Sequence, residues 1–334
     1  MSIQIRWYGK DRARFVEQVV VSDIQGLATN TGCLSLITNA QGGILDDTVI
    51  TACDDHVYMV VNGATKFTDM DHFQQQLEDF DGDVTMEYLD ETMQLLALQG
   101  PGAATVLAKL LPPAIDLTKV PFMASLNNVT LLGSIEGCRI TRCGYTGEDG
   151  FELSIPSGSE TIAVASALCD TYPDLVQPTG LGARDSLRLE AGLCLYGNDL
   201  NDTIDPVMGG LAWTLGKPKS RRRLEQGYVG SQTFVTPDGK LRKPSQKRVG
   251  IIGMKAPARQ NTIIYAPDDA TKIIGAITSG TYSPTLKVPI AMGYVDTEYA
   301  KPQTDVQLKI RKKFVPAHVT TMPFVEARYY RVPA

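Results

Sequence analysis

Strand-like and helix-like stretches are mixed irregularly along this chain, and that irregularity limits its fold more than any other feature. Residues 129–134, 137–142 and 151–155 read as successive strands with no helix between them. Parallel neighbours need a long crossover, usually a helix, so strands this close in sequence pair antiparallel. Residues 1–10 alternate like a strand, and 11–20 carry a charged start with Phe15, Val16, Val19 and Val20 spaced for a short helix. Residues 33–38 and 44–51 flank the turn Asn39-Ala40-Gln41-Gly42-Gly43 as a hairpin; a strand at 57–61, a helix at 69–79 and a strand at 94–99 follow. A helix over 102–111 is stopped by Pro112 and Pro113, and further helices are expected over 159–171 and 181–191. The pattern predicts an α+β architecture with antiparallel sheets and argues against a doubly wound dinucleotide fold.

With 334 residues the chain exceeds the size at which one core stops growing, so two or three domains are expected. Its texture changes beyond about residue 215. Residues 217–223 are basic, 236–239 form a turn, and strand-like runs at 249–254, 273–279, 290–295, 306–310 and 314–319 suggest a compact β-barrel. The expected division is therefore 1–225 and a C-terminal barrel domain at 226–334.

Several chemistries fall away on composition. No apolar run reaches the roughly 18 residues needed to span a bilayer, so no membrane role is expected. The net charge is −5, and basic residues gather only around 217–223 and 241–248, where solvated loops explain them, so nucleic acid is not an expected partner. Six cysteines without a Cys-x-x-Cys pair do not make a disulfide framework and fit a reducing compartment. His56, His72 and His318 lie far apart without a ligand pattern, so no metal is expected. Neither a Gly-x-Ser-x-Gly elbow nor a phosphate-binding Gly-x-x-x-x-Gly-Lys-Ser/Thr loop is present, which removes the hydrolase and nucleotidase readings.

The segment 142–153, Arg-Cys-Gly-Tyr-Thr-Gly-Glu-Asp-Gly-Phe-Glu-Leu, is the first that looks like a site. Gly144, Gly147 and Gly150 permit close backbone approach, Tyr145 offers a flat π face, and Glu152 an anionic acceptor. A pocketed carboxylate accepts two parallel N–H bonds from a guanidine-like ring edge, as in a pterin or guanine. A Gly-rich hairpin with exposed acids accounts for the same residues. Asp46 and Asp47 precede a β-branched strand and point to opposite faces of it, so at most one enters a given pocket; two solvated acids at a hairpin edge are the alternative. Arg184 splays away from Asp185, which leaves it available to a carboxylate such as a folate's glutamyl tail, or to an intramolecular ion pair. Tyr329 and Tyr330, near the end of the chain, are read as packing or surface residues when taken alone.

Taken together, these places match a family. The segments 39–47 (Asn-Ala-Gln-Gly-Gly-Ile-Leu-Asp-Asp), 97–101, 141–152, 182–199, 213–217 and 277–295 occur in an order that closely resembles the aminomethyltransferases, the T-proteins of the glycine cleavage system. The likeness runs from about Gln4 to Tyr330. It implies three modules around a tetrahydrofolate site, with two interleaved lobes in 1–225 and the C-terminal β-barrel contributing one wall. It also implies a reaction: an aminomethyl group on the dihydrolipoyl arm of lipoylated H-protein loses ammonia, and the one-carbon unit passes to tetrahydrofolate as co-substrate, giving 5,10-methylenetetrahydrofolate. Carried over by motif, Asp47 is the catalytic candidate, acting near N10 of the folate. Glu152, Arg184 and Tyr329 match binding residues, with Tyr145 and Asn62 at further pocket positions.

Two departures from the family pattern stand out. Relatives carry several dozen residues before the point matching Met1, including a Phe-Asp-x-Ser motif near the folate pocket, so the expectation is either an incomplete pocket or a processed or trimmed longer chain. Met208 also stands where relatives often have an acid. The competing reading is a non-catalytic folate-binding maturation or regulatory protein on the same fold; its usual Lys-Gly-Cys-Tyr-x-Gly-Gln-Glu motif is missing. A folate-linked demethylase domain fused to a flavin domain is disfavoured by the lack of a dinucleotide fingerprint. The resemblance places the chain in the mitochondrial matrix if eukaryotic and in the cytoplasm if bacterial.

Overall fold

The structure, a computed structural model, describes residues 2–332. The chain divides into two compact units: one takes residues up to 37, 45–179 and from 328 on, the other 38–44 and 180–327.

The first unit holds two antiparallel sheets. One is built from β1 (Ser2–Tyr8), β2 (Gly32–Thr38), β3 (Ile44–Ala52), β4 (Val57–Asn62) and β5 (Thr85–Tyr88), in the spatial order β2-β3-β4-β1-β5. On β1, Ile3, Ile5 and Trp7 point to one face and are buried there with Phe15, Val16 and Val19 of α1 (Arg12–Val19) and Phe73 of α2 (Lys66–Glu78). Trp7 is fully buried, 4.9 Å from the ring of Phe15 and 5.3 Å edge-on from Phe73. Each such side chain contributes about 1.5–3 kcal/mol by leaving water. The opposite face of β1 is not open either. Gln4 is buried there, and its Oε1 accepts hydrogen bonds from Tyr58 (2.6 Å) and from Ser154 of the second sheet.

That second sheet runs β6-β9-β8-β7, from β6 (Met93–Gln99), β7 (Ser125–Leu131), β8 (Ile135–Thr141) and β9 (Gly150–Pro156). One of its faces buries Leu98, Ile140, Phe151, Leu153 and Ile155 against α3 (Ala103–Leu107) and α4 (Ser159–Thr171). Two sequence expectations shift here. The helix read over 69–79 begins earlier, at Lys66, because Thr65 turns back on Asn62 through its backbone N–H (3.3 Å) and hydroxyl (2.9 Å). The helix ahead of Pro112 ends at Leu107, well short of the proline.

The second unit contains α5 (Leu181–Glu190) and a closed antiparallel barrel in the order β10-β13-β12-β11-β14-β15. Its strands are β10 (Gln246–Ile252), β11 (Ile263–Tyr265), β12 (Ile273–Ser283), β13 (Val288–Asp296), β14 (Asp305–Ile310) and β15 (Lys313–Thr320). Ile251, Ile264, Ile277, Val295 and Leu308 fill the interior. Gly275 lets β12 close on β13, since a Cβ there would meet the carbonyl oxygen of Tyr294 at 1.9 Å. β5 and β11, four and three residues long, are too short to show alternation in the sequence.

Candidate active site

Side chains alternate along a strand, so Asp47, Val49 and Thr51 share one face of β3, and Tyr58, Val60 and Asn62 share one face of β4. The register sets Val49 opposite Val60 and Thr51 opposite Tyr58, which joins the two sets into one surface. On the second sheet Glu152 stands opposite Thr141 and Ala97, and Ser154 opposite Leu95. Between the two faces runs a narrow pocket, with Val49, Thr51, Tyr58 and Val60 on one side and Leu95, Thr141, Cys143, Glu152 and Ser154 on the other. Its lining is mostly apolar, with one carboxylate and a few hydroxyls.

Further along the same faces of β3 and β4, beyond the residues that line the pocket, Asn62 ties two acids together. Its side-chain Nδ2 donates to Asp46 (2.8 Å) and to Asp47 (3.2 Å), and its backbone N–H donates to Asp46 (2.8 Å). Asp46 is buried on the core face of the sheet and Asp47 half-buried on the pocket face, as the alternation predicts. Burial, reinforced by the charge of Asp46, pushes Asp47 up to about 7. Such a carboxyl exchanges its proton near neutral pH, which is the property a general acid or base needs.

Behind it lies an acid that sequence reasoning missed. Asp69, on α2, is fully buried, with Thr65 and the Asp46 carboxyl as its polar neighbours. Burial first, and the Asp46 charge next, raise it far above the ordinary carboxylate range; Asp46 is itself raised by burial and held back by the bonds from Asn62. Two carboxylates this deep cannot both ionise, so Asp46, which accepts the amide bonds, carries the charge and Asp69 keeps the proton. One signal was present in the sequence. Asp69 and Phe73 sit four apart on the buried stripe of α2, so helical spacing alone puts an acid into the core.

The Gly-rich segment is a loop closed by its own ends. Arg142 grips Asp149 through two parallel bonds, Nε to Oδ1 (2.8 Å) and Nη2 to Oδ2 (2.6 Å), and donates to the carbonyls of Leu117 and Val120. Gln99 fills the loop, with Nε2 bonded to the carbonyls of Cys143 (3.1 Å) and Phe151 (3.2 Å). Gly144 leaves room for that side chain, since a Cβ would fall 1.7 Å from the Gln99 side-chain oxygen and Gln99 would have to move. Tyr145 and Glu152 are both half-buried, at and just after this loop.

Tyr329 returns to the same loop. The backbone N–H of Arg328 donates to Gly147 (2.7 Å), Tyr329 stacks on Phe122 with ring centroids 4.1 Å apart, and the Arg142 guanidinium covers Tyr330 at 3.9 Å. The structure thus brings Asp47 and Asn62 into contact on the face that also lines the Glu152 pocket, and brings Tyr329 to the loop of Tyr145. Arg184 belongs to the second unit and lies exposed on α5; Asp185, its sequence neighbour, pairs with Arg188 (2.8 Å).

Comparison with known proteins agrees with this architecture. Residues 2–219 match the family model described as the GCVT N-terminal domain, and residues 246–326 match the glycine cleavage T-protein C-terminal barrel domain. The mitochondrial aminomethyltransferase of Mesembryanthemum crystallinum is 46% identical over 97% of this chain and 77% of its own length; that of Gallus gallus is 43% identical over 98% and 81%. The crystal structure of glycine cleavage system aminomethyltransferase T from Bartonella henselae superposes with a TM-score of 0.84 at 32% identity, covering 99% of this chain and 86% of that one. The class is therefore an enzyme class, the folate-dependent one-carbon transferases. Within it, the chain belongs to the aminomethyltransferase family, the T-proteins of the glycine cleavage system.

Proposed function

We propose that this chain accepts the aminomethyl group borne by the dihydrolipoyl arm of H-protein, with release of ammonia, and delivers the one-carbon unit to tetrahydrofolate to give 5,10-methylenetetrahydrofolate. Bound tetrahydrofolate supplies the two nitrogens, N5 and N10, that receive the carbon. Glu152 is assigned to the N–H edge of the pterin, and its position as the one carboxylate among mostly apolar pocket residues supports this. Tyr145 is assigned to cover the ring, Tyr329 to line the site, and Arg184 to hold a carboxylate of the glutamyl tail. On this reading residues 226–334 act as the barrel domain, and the protein works in the mitochondrial matrix in a eukaryote or in the cytoplasm of a bacterium.

Asp47 is given the chemical role. The observation that carries the reading is the Asn62 bridge, which fixes Asp47 on the pocket face of the strand beside the buried Asp46. Held there, the Asp47 carboxylate opposes positive charge developing on the one-carbon unit and moves a proton at N10, an effect that general acid–base catalysis places at about 10²- to 10⁴-fold. The test mixes the protein with tetrahydrofolate and aminomethylated H-protein and measures ammonia and methylene-folate. Equal yields of both products are expected. Folate binding without either product would sink the enzymatic reading.

A further inference from the structure

We propose that Cys53 is held as a thiolate in the resting protein and is the point at which this chain reacts with small hydroperoxides and other soft electrophiles. Cys53 follows the last residue of β3 and is 8% exposed. Its sulfur accepts a hydrogen bond from Nη1 of Arg139 on β8 at 3.3 Å and lies 3.8 Å from Nδ2 of Asn127 on β7. A neutral thiol is a poor acceptor; a sulfur that faces a guanidinium and an amide N–H is matched by the anion.

Arg139 supplies the independent observation. It is 5% exposed, and a guanidinium keeps its charge in a protein. Its contacts are the Cys53 sulfur, the Asn127 side-chain oxygen and the face of Tyr58 at 4.1 Å, while Nε and Nη2 have no hydrogen-bond partner. Among the described residues no carboxylate forms an ion pair with it. Glu152 shares this face and acts with Arg139 on Tyr58 and Cys143, but the anion that ionisation would place at contact distance from the guanidinium is Cys53.

Other charges around the sulfur point the same way. His56, in the turn after Cys53, accepts the Cys53 backbone N–H at its carbonyl (2.9 Å), and its ring is paired with Asp55 through Nδ1 at 2.6 Å. Arg12 of α1 braces this turn by donating to the carbonyl of Asp54 at 2.8 Å. Burial alone would raise the Cys53 thiol, but His56 and Arg139 outweigh it and the net direction is down. The contrast with other cysteines is sharp: burial pushes Cys33 up to about 11 and Cys143 well above the ordinary range. Cys53 does not line the Glu152 pocket, and no step assigned to Asp47 uses it.

With hydrogen peroxide the Cys53 thiolate attacks one oxygen. An S–O bond forms, the O–O bond breaks and hydroxide leaves, so sulfur gives up two electrons, peroxide gains two, and the product is a neutral sulfenic acid. Arg139 then loses its anion.

The experiment labels the intact chain with iodoacetamide across roughly pH 5 to 9 and quantifies each cysteine by peptide mapping. Cys53 is expected to reach half-maximal labelling at least about one pH unit below an ordinary thiol, and to react at pH 7 about tenfold or more faster than Cys33. Peroxide followed by a sulfenic-acid trap should mark Cys53 first. His56→Asn, a change in the turn that spares the core, should move the midpoint upward. Cys53 unlabelled at every pH, or titrating at or above the ordinary range near about 8.5, would overturn the proposal.

Discussion

The second unit buries one aspartate completely and the first unit buries two, and they are treated in opposite ways. Asp199, in the second unit, receives Arg188 at 2.7 Å, the Leu195 backbone N–H at 2.9 Å and the hydroxyl of Ser279 at 2.9 Å. Arg188 in turn bonds Asp185 and Ser279, so the group is closed and every charge is answered. Asp46 and Asp69, in the first unit, have no cation paired with them among the described residues; Asp46 has the Asn62 amide bonds, and Asp69 has only Thr65 and Asp46 beside it. Equal burial therefore does not mean equal chemistry. A matched carboxylate is structural, whereas of the unmatched pair one member holds a proton, and Asp47 is raised by its own burial and by the charge of Asp46.

The comparison breaks most visibly at Asp47. Asp47→Asn should keep tetrahydrofolate binding and lower methylene-folate formation by about 10²- to 10⁴-fold; unchanged turnover would remove Asp47 from the mechanism. Because Asp47 is raised to about 7 and is asked to work as a carboxylate, kcat/KM of the unmodified chain should climb as pH passes upward through that value, and the climb should vanish in the variant. A flat profile between pH 6 and 8 would contradict this.

Removing Arg188 attacks the matched site. Arg188→Met leaves Asp199 buried without its cation and should cost about 3–5 kcal/mol in denaturant unfolding. A loss comparable to that of a surface substitution would show the pair to be incidental.

The smallest effect, with the opposite sign, is expected at Asp69. Its folded-state affinity for a proton exceeds that of the unfolded chain, so the stability it contributes is complete below the ordinary carboxylate range and is lost as pH rises toward its raised value. Asp69→Asn removes that loss. The variant should match the unmodified chain near pH 4 and exceed it by about 1–3 kcal/mol at pH 8, read from melting at both pH values. A variant that is less stable at pH 8 than the unmodified chain would refute the assigned proton.

Much of this was legible before any coordinates. The helix over 159–171 and the antiparallel run around residues 129–155 follow from local periodicity, because a 2-residue or 3.6-residue repeat is visible in any short window. The opposite-facing Asp46 and Asp47 were readable for the same reason. Arg142 was harder. Within a Gly-rich segment it looked like one more polar residue, yet its partners include Asp149 seven positions on and the carbonyls of Leu117 and Val120, more than twenty positions back. Asp69 lay on a recognisable helical stripe, but its unanswered charge depends on β3, and no helical repeat reports on a strand.

The sequence by itself determined the α+β class, the barrel and the family, since these rest on periodicity and on long motifs in a fixed order. Only the tertiary structure decided which charges meet. Cys53 and Arg139 stand 86 positions apart and Arg188 and Ser279 stand 91, separations at which no local pattern survives. A side chain's electrostatic state is set by the desolvation and the partners it finds after folding, and those are properties of neighbours in space.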